Sequence, residues 1–325
     1  MIQQPGHSFR SLFLATALLG LLAGNVAAQT ATQTGNGTSQ SDPQPTKRDI
    51  PYGTEPGQTL NFWAGRSGDK APLLVYIPGG AWQRIDGRID ALGRCKQFWD
   101  RGFAVAMIQY RLAPKNPLPV PVMDAARAVQ FLRHHAKDFG FDPQRVVLLG
   151  MSAGGCSALW LATHDDLADP MSDDPILRES SKPQVVVAGM AQTTIVPAEV
   201  ENWVGFNALR HGMVAGAGGY SSVDQVKAAI EKDPSVAMLY RKFSPIHNLS
   251  ADDPPILLEY GSLAPAGAGD IHDGAFGIHF LEAAKRVGAR CHLSIYKNET
   301  YPPYPGGAVT FVTNAMEGNP SHLSH

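Results

Sequence analysis

A buried strand that runs directly into a glycine-flanked serine constrains this chain more than any other feature. Residues 145–155 read Arg-Val-Val-Leu-Leu-Gly-Met-Ser-Ala-Gly-Gly. The four apolar residues predict a buried parallel strand, and the residues after Gly155 predict a helix. Gly-x-Ser-x-Gly at such a turn is typical of a nucleophile elbow, which holds Ser152 in a strained conformation at the carboxyl edge of a sheet.

A second turn supplies candidate partners for that serine. An apolar strand ending at Ile77 is followed by Pro-Gly-Gly-Ala-Trp at residues 78–82. Backbone N–H groups that converge at a turn of this kind can stabilise the oxyanion of acyl transfer. The sequence therefore predicts an oxyanion hole formed by Gly79, Gly80 and Ala81 together with Ala153, the residue after the serine.

Three stretches together resemble the α/β-hydrolases, in the carboxylesterase branch of feruloyl- and acetyl-esterase-like proteins that is also similar to hormone-sensitive lipase. They are Pro-Gly-Gly-Ala-Trp at 78–82, Tyr-Arg-Leu-Ala-Pro at 110–114 with Asp124 beyond it, and Gly-Met-Ser-Ala-Gly-Gly at 150–155. The resemblance covers about residues 50–315. It implies a serine hydrolase acting on a small-molecule ester or an acylated carbohydrate, with Ser152 forming the acyl-enzyme.

Strands and helices alternate from Asp49 onward, which predicts an α/β fold with a mostly parallel twisted sheet flanked by helices. Strands are predicted at 59–64, 73–77, 103–109, 146–149, 185–190, 256–260 and 292–296, and helices at 122–137, 153–164, 274–287 and about 307–315. Residues 193–254 break the alternation. Under the family resemblance they form a lid-like insertion after the sixth strand.

The chain ends are predicted to lie outside the folded domain. Residues 1–28 are typical of a signal peptide, with Arg10 before an apolar run at 12–23 and small residues at 26–28, which indicates a secreted or periplasmic protein. A flexible linker is expected at 29–48, the hydrolase domain at 49–317 and a disordered tail at 318–325. The apolar run is too short for a stable membrane span.

Charge and cysteine content exclude several other classes of protein. The net charge of −2 offers no basic surface for nucleic acid. Three cysteines in an exported chain leave at least one thiol unpaired, and Cys156 and Cys291 are expected to be small core residues. No zinc-ligand spacing and no dinucleotide fingerprint occur in the sequence, so no metal and no cofactor is expected.

The base and the acid that should activate the serine are harder to assign. In this fold the chain order is serine, acid, histidine, with the acid after the seventh strand and the histidine after the eighth. Leu263 and Ala264 stand where the family has its aspartate, and no histidine occurs at 297–307. Asp270 is the best remaining acid, with Asp273 and Glu259 behind it, and His272 is the nearest candidate base.

Three hypotheses remain open from the sequence. In the first, the protein is an esterase with His272 as base and an acid from the same region. In the second, an incomplete triad supports only slow acyl transfer. In the third, the chain keeps the fold and a pocket without catalysis. Arg111 and Asp124 are expected to form a structural ion pair in all three.

Overall fold

The structure, a computed structural model, describes residues 43–318. The predicted signal peptide, most of the predicted linker and the tail after Gly318 lie outside the described residues. The strands are β1 Lys47–Pro51, β2 Thr59–Trp63, β3 Leu73–Ile77, β4 Ala104–Ile108, β5 Val146–Met151, β6 Val185–Gly189, β7 Ile256–Tyr260 and β8 Cys291–Ile295. The α-helices are α1 Lys96–Asp100, α2 Val120–His134, α3 Ala136–Phe139, α4 Ala153–Thr163, α5 Pro197–Trp203, α6 Phe206–Leu209, α7 Gly212–Ala217, α8 Val223–Lys232, α9 Pro234–Lys242, α10 Ala275–Val287 and α11 Gly307–Met316.

The eight strands form one sheet in the order β1-β2-β4-β3-β5-β6-β7-β8. Strand β2 is antiparallel to both of its neighbours, and β3 to β8 are parallel to one another. Strand β5 lies in the middle, between β3 and β6. The carboxyl ends of β3, β5, β6 and β7 therefore meet at one edge, where open α/β sheets bind their ligands.

Helices cover both faces of this sheet, and two apolar cores result. On one face, α2, α4 and α10 pack with side chains such as Leu159 and Phe280 fully buried. On the other, α1 and α11 contribute Phe98 and Phe311. A strand that is buried on both faces reads as a continuous apolar run, which is why β5 is Val-Val-Leu-Leu in sequence.

All seven predicted strands and all four predicted helices are present, with ends that differ from the predictions by no more than three residues. The expected α/β architecture is confirmed. Strand β1 was not predicted, and it begins at Lys47, inside the segment assigned to the linker. Its sequence, Lys-Arg-Asp-Ile-Pro, is exposed and polar because it forms the edge of the sheet, where apolar alternation is not required.

Residues 193–254, between β6 and β7, fold into the five short helices α5 to α9. Helix α7 contacts the turn after β3, where the amide nitrogen of Gln83 donates a hydrogen bond to the carbonyl of Gly212 at 2.7 Å. The insertion therefore reaches the edge of the sheet where β5 ends. Among the helices of residues 43–318, none has the length and apolar character needed to cross a membrane.

The predicted ion pair between Arg111 and Asp124 is present. The guanidinium donates to both carboxylate oxygens of Asp124 at 2.7 and 2.9 Å, and the backbone N–H of Arg111 adds a third bond at 2.9 Å. The amide of Gln58 donates to the same carboxylate at 2.7 Å. The pair fastens α2 to the segment after β4. The three cysteines are buried and unpaired.

Candidate active site

The serine at the end of β5 lies on a strained turn. Ser152 has φ 51° and ψ −122°, in the left-handed region that residues other than glycine rarely adopt. Its backbone N–H donates to the carbonyl of Gly189 at 2.9 Å, and its carbonyl accepts from the N–H of Cys156 at 2.9 Å. Helix α4 therefore begins directly after the serine. The predicted nucleophile elbow is the geometry that the structure shows.

The glycines on either side of Ser152 are required by close backbone contacts. A Cβ atom at Gly150 would lie 2.2 Å from the carbonyl oxygen of Gly154. A Cβ atom at Gly154 would lie 2.1 Å from the carbonyl oxygen of Ile77 in β3. Neither contact is physically possible, so the tight crossing of strand and helix depends on both glycines.

The turn after β3 faces the serine. A Cβ atom at Gly79 would lie 3.1 Å from the Cβ atom of Ser152, which places this backbone against the nucleophile. Within residues 43–318, the N–H groups of Gly79, Gly80, Ala81 and Ala153 donate to no protein acceptor. They are the donors that the sequence assigned to an oxyanion. Their role stays a prediction, and the absence of a protein acceptor leaves these N–H groups available to an oxyanion.

Ala81 stands where the resembling family has glycine, and the structure shows how it fits. Ala81 and Trp82 both have positive φ values, 57° and 58°. The Trp82 indole is fully buried and donates to the hydroxyl of Ser157 in α4 at 3.0 Å. At Gly80, φ is 117° and a Cβ atom would lie 2.1 Å from the carbonyl oxygen of Arg84. Packing of Trp82 therefore stabilises a turn that alanine alone would not favour.

The hydroxyl of Ser152 lies 2.8 Å from Nε2 of His272. This histidine belongs to the loop between β7 and α10, and it reaches the serine across 120 residues of chain. Both side chains are half-buried. A serine hydroxyl within hydrogen-bond reach of an imidazole nitrogen is the contact through which a base activates a nucleophile. The sequence named both residues, and the structure brings them together.

The surroundings of His272 favour its neutral form. Burial lowers the pKa of His272 below its ordinary value, and the negative charges of Asp270 and Asp86 offset this only in part. A base must be neutral to accept a proton, so the lowered pKa keeps His272 competent at neutral pH.

Asp270 does not make the contact expected of an orienting acid. Its carboxylate accepts a hydrogen bond from the backbone N–H of His272 at 2.7 Å, not from the ring. Within the described part of the chain, no hydrogen bond joins Nδ1 of His272 to a carboxylate. Asp270 precedes His272 by two positions, and an aspartate so placed closes a local turn on the backbone. Asp270 therefore acts on the imidazole through its charge.

Among the described residues, neither of the other two candidate acids, Asp273 and Glu259, makes a hydrogen bond to His272. The carboxylate of Asp273 accepts the backbone N–H groups of Ala264 and Ala275, each at 2.8 Å, and thereby shapes the loop that carries His272. Glu259 lies in β7 beside a cavity that Arg94 and Met151 also line. Burial raises the pKa of Glu259, and the charge of Arg94 opposes that rise.

A second histidine lies beside the first. The ring of His211 is 6.3 Å from that of His272, measured between centroids, with the planes at 64°. It belongs to the insertion, at the residue before α7. The sequence places His211 in the lid-like insertion without an individual role, because nothing local to residue 211 indicates a neighbour 61 positions away. In residues 43–318, no group of His, Cys, Asp or Glu side chains is arranged to hold a metal ion.

Comparison with curated sequences finds named ester hydrolases. The probable carboxylic ester hydrolase LipM of Mycobacterium tuberculosis is 28% identical over 229 residues, 67% of this chain and 48% of LipM. The probable isoprenylcysteine alpha-carbonyl methylesterase ICMEL1 of Arabidopsis thaliana is 25% identical over 267 residues, 78% of this chain and 50% of that protein. The chain thus spans about half the length of these two relatives.

Solved structures show the same fold. The acetyl ester-xyloside bifunctional hydrolase from Caldicellulosiruptor lactoaceticus superposes with a TM-score of 0.59 at 23% identity, over 74% of this chain and 77% of that one. The BD-FAE family model matches residues 62–265, more than half of the chain, including the elbow and the turn at 78–82 but ending before His272. The chain has an α/β-hydrolase fold and belongs to the BD-FAE family.

Proposed function

We propose that this protein is a serine hydrolase of carboxylic esters in which Ser152 is the nucleophile and His272 the base. The observation that carries the proposal is the 2.8 Å contact between the serine hydroxyl and Nε2 of His272, made at a strained elbow. Strain of this kind persists only where the surrounding structure imposes it. Membership of the BD-FAE family and the named ester hydrolases among the relatives support the same activity.

Acylation follows from the positions of these groups. Nε2 of His272 takes the hydroxyl proton of Ser152 as the serine oxygen attacks the ester carbonyl carbon. The carbonyl oxygen becomes an oxyanion, which the N–H groups of Gly79, Gly80 and Ala153 stabilise, with Ala81 adjoining them. Collapse breaks the bond to the alcohol oxygen, and His272 returns the proton to that oxygen. The alcohol leaves, and the acyl group stays on Ser152.

Deacylation reverses the roles with water. His272 takes a proton from a water molecule, which attacks the acyl carbonyl, and the same N–H groups bind the second oxyanion. Release of the carboxylic acid returns the proton to Ser152. The cycle needs no cofactor, because every proton that His272 accepts is given back within the same half-reaction.

Among the described residues, no carboxylate bonds to the imidazole ring of His272. In a serine protease with a full triad, loss of the aspartate's function lowers kcat by about ten-thousandfold, since the imidazole is no longer oriented and its charged form is less stabilised. Here Asp270 and Asp86 supply negative charge near His272 but no bond to Nδ1. We therefore expect turnover well below that of enzymes with complete triads. This expectation combines two of the hypotheses from the sequence, an esterase with His272 as base and slow acyl transfer by an incomplete triad.

The proposed substrates are small esters or acylated carbohydrates, and the proposed location is outside the cytoplasm. The first rests on the resemblance given above, and the second on the leader-like residues 1–28, which lie outside the described residues.

The test uses purified protein without the leader and a short-chain aryl ester. Wild type hydrolyses the ester, Ser152→Ala abolishes the activity, and His272→Ala lowers kcat/KM by at least about a hundredfold. His135→Ala is the matched control, since His135 is a surface histidine paired with Asp138. Equal rates for wild type and Ser152→Ala would remove the serine from the mechanism.

The alternative is a hydrolase-fold protein that binds a ligand without turning it over. The missing carboxylate partner of His272 is the observation that favours it. Tight retention of an ester analogue, with no labelling of Ser152 by an aryl phosphonate, would establish this alternative. Stoichiometric labelling of Ser152 by the phosphonate would exclude it.

A further inference from the structure

His211 occupies a position that the mechanism above does not use. It lies at the start of α7, and α7 is fastened to the turn after β3 by the bond between Gln83 and the carbonyl of Gly212. The contact is tight, because a Cβ atom at Gly216 would lie 2.2 Å from the Gln83 amide nitrogen. The ring of His211 is therefore held beside His272 by the same turn that supplies the proposed oxyanion donors.

The hydrogen bond that His211 makes determines which of its nitrogens carries the proton. Nδ1 accepts the backbone N–H of Met213 at 3.2 Å and so caps α7. A nitrogen that accepts a hydrogen bond has no proton, so the neutral ring carries its proton on Nε2. Burial lowers the pKa of His211, as do the charge that His272 carries when protonated and the charge of Arg84, whereas Asp270 opposes the shift. The ring is thus neutral at neutral pH, with Nε2–H as donor.

That donor, Nε2–H of His211, makes no hydrogen bond to the described part of the protein, and the side chain is half-buried. The ring has no lone pair to offer His272, because Nδ1 already accepts the bond from Met213. His211 therefore does not replace the missing orienting acid, and what it adds to the site is a neutral hydrogen-bond donor.

The spacing of the two rings suits an atom shared between them. A hydrogen bond of about 2.9 Å places an acceptor about 4 Å from the centre of the donating ring, so centroids up to about 8 Å apart can share one oxygen. The observed separation is 6.3 Å. In the proposed reaction, the oxygen that must approach His272 is that of the departing alcohol, since His272 returns its proton there.

We propose that Nε2–H of His211 donates a hydrogen bond to the leaving oxygen of the ester, as an additional substrate-contacting residue. This inference rests on the proposed function. The donor stabilises negative charge that develops as the bond to the alcohol breaks. A hydrogen bond to developing charge contributes most where that charge is greatest, which is for alkyl alcohols that leave poorly. An aryl leaving group delocalises the negative charge on its oxygen into the ring, so its departure depends less on the donor.

Two substitutions separate this role from capping. Asn at position 211 retains a short acceptor for the Met213 N–H, as asparagine does at many helix starts, but has no group at the place of Nε2. Gln at 211 places an amide N–H near the position of Nε2 and loses the short cap. His211→Asn therefore removes the donor and keeps the cap, and His211→Gln does the reverse.

The experiment compares kcat/KM for an aryl acetate and an alkyl acetate in wild type and both variants, with Ser152 labelling by phosphonate to count competent sites. We expect His211→Asn to lower the alkyl rate at least about fivefold more than the aryl rate, and His211→Gln to restore most of the wild-type ratio. An unchanged alkyl-to-aryl ratio in His211→Asn, or a ratio in His211→Gln equal to that of His211→Asn, would overturn the inference. Failure of the proposed function is seen separately, as wild-type hydrolysis that survives Ser152→Ala.

Discussion

The serine and the histidine of the proposed pair are held by backbones of very different kinds. Ser152 sits between the central strand of the sheet and a buried helix, where Gly150 and Gly154 leave no space for a side chain. His272 sits in the 14-residue loop between β7 and α10, and a Cβ atom at Gly261 in that loop would meet nothing within 4 Å. The nucleophile is positioned by packing, whereas the base is positioned by hydrogen bonds of its loop, made to the loop's own aspartates and to Gln192 and Val204 outside it.

Because of this difference, substitutions at the elbow and in the loop should have different effects on stability and activity. Packing at the elbow is shared with the core, so a change there disturbs the fold and the chemistry together. The loop is held by Asp270 and Asp273, which accept three backbone N–H groups between them. A change there should disturb the position of His272 and leave the sheet intact.

The largest effect is expected from Gly154→Ala. Its Cβ atom would lie 2.1 Å from the carbonyl oxygen of Ile77, so strand β3 and helix α4 must separate. We expect the free energy of unfolding to fall by about 3 kcal/mol or more, with loss of esterase activity. Chemical denaturation and aryl ester hydrolysis measure the two.

Gly261→Ala is the matched control in the other region, because the same added methyl group enters open space. It should change stability by less than about 0.5 kcal/mol. Similar losses for the two variants would contradict the contrast between the packed elbow and the open space at the start of the loop.

Asp124→Ala tests the ion pair with Arg111, which lies outside both the elbow and the loop that carries His272. The carboxylate is 2% exposed and receives Arg111, so its removal leaves a half-buried cation unpaired. We expect a loss of about 3 kcal/mol in stability, with activity per folded molecule nearly unchanged. Glu201→Ala removes a charge from the more exposed pair with Lys227 and should cost less than about 1 kcal/mol. An activity loss in Asp124→Ala without a stability loss would contradict the structural role.

A smaller loss of stability is expected from Asp273→Ala, which frees the N–H groups of Ala264 and Ala275. Leaving two donors without their acceptor should cost about 1 to 3 kcal/mol. Because the loop carries His272, kcat should fall more than the fraction of folded protein. Circular dichroism gives that fraction, and a fall in kcat that only matches it would show that the loop does not position the base.

The smallest effect is expected from Asp270→Asn, as a shift in pH dependence. The amide oxygen of asparagine still accepts the His272 N–H, but the negative charge that raises the pKa of His272 is gone. His272 works when neutral, so activity is lost as pH falls through its pKa. The acid limb of the kcat/KM profile should therefore move to lower pH, by less than about one unit. A move to higher pH would contradict the sign of this interaction.

The sequence predicted the sheet and the elbow because both follow from local patterns. Apolar runs mark β5 and the other buried strands, and the glycine spacing marks the turn at Ser152. Strand β1 was not predicted because an exposed edge strand needs no apolar residues. The short helices of residues 193–254 follow no long periodic pattern, so only the break in alternation was visible.

The site was predictable only where a strand end indicated it. Ser152 and His272 were named because each follows a strand at the carboxyl edge. The hydrogen bond of Asp270 to the His272 backbone could not be predicted. An aspartate two positions before a histidine can bond to its backbone or to its ring, and the geometry of the loop determines which. His211 was placed in the insertion but given no role of its own, because its position beside His272 arises only when the insertion folds back onto the turn at Gly80.

The central claim is that His272, from the loop before α10, activates Ser152. The most direct test is the rate constant for phosphonylation of Ser152 by an aryl phosphonate, compared between wild type and His272→Ala. This reaction needs the serine nucleophile and its base, with no deacylation step to complicate the rate. If His272 is the base, labelling at Ser152 is at least about a hundredfold slower in His272→Ala. Equal labelling rates in the two proteins would contradict it.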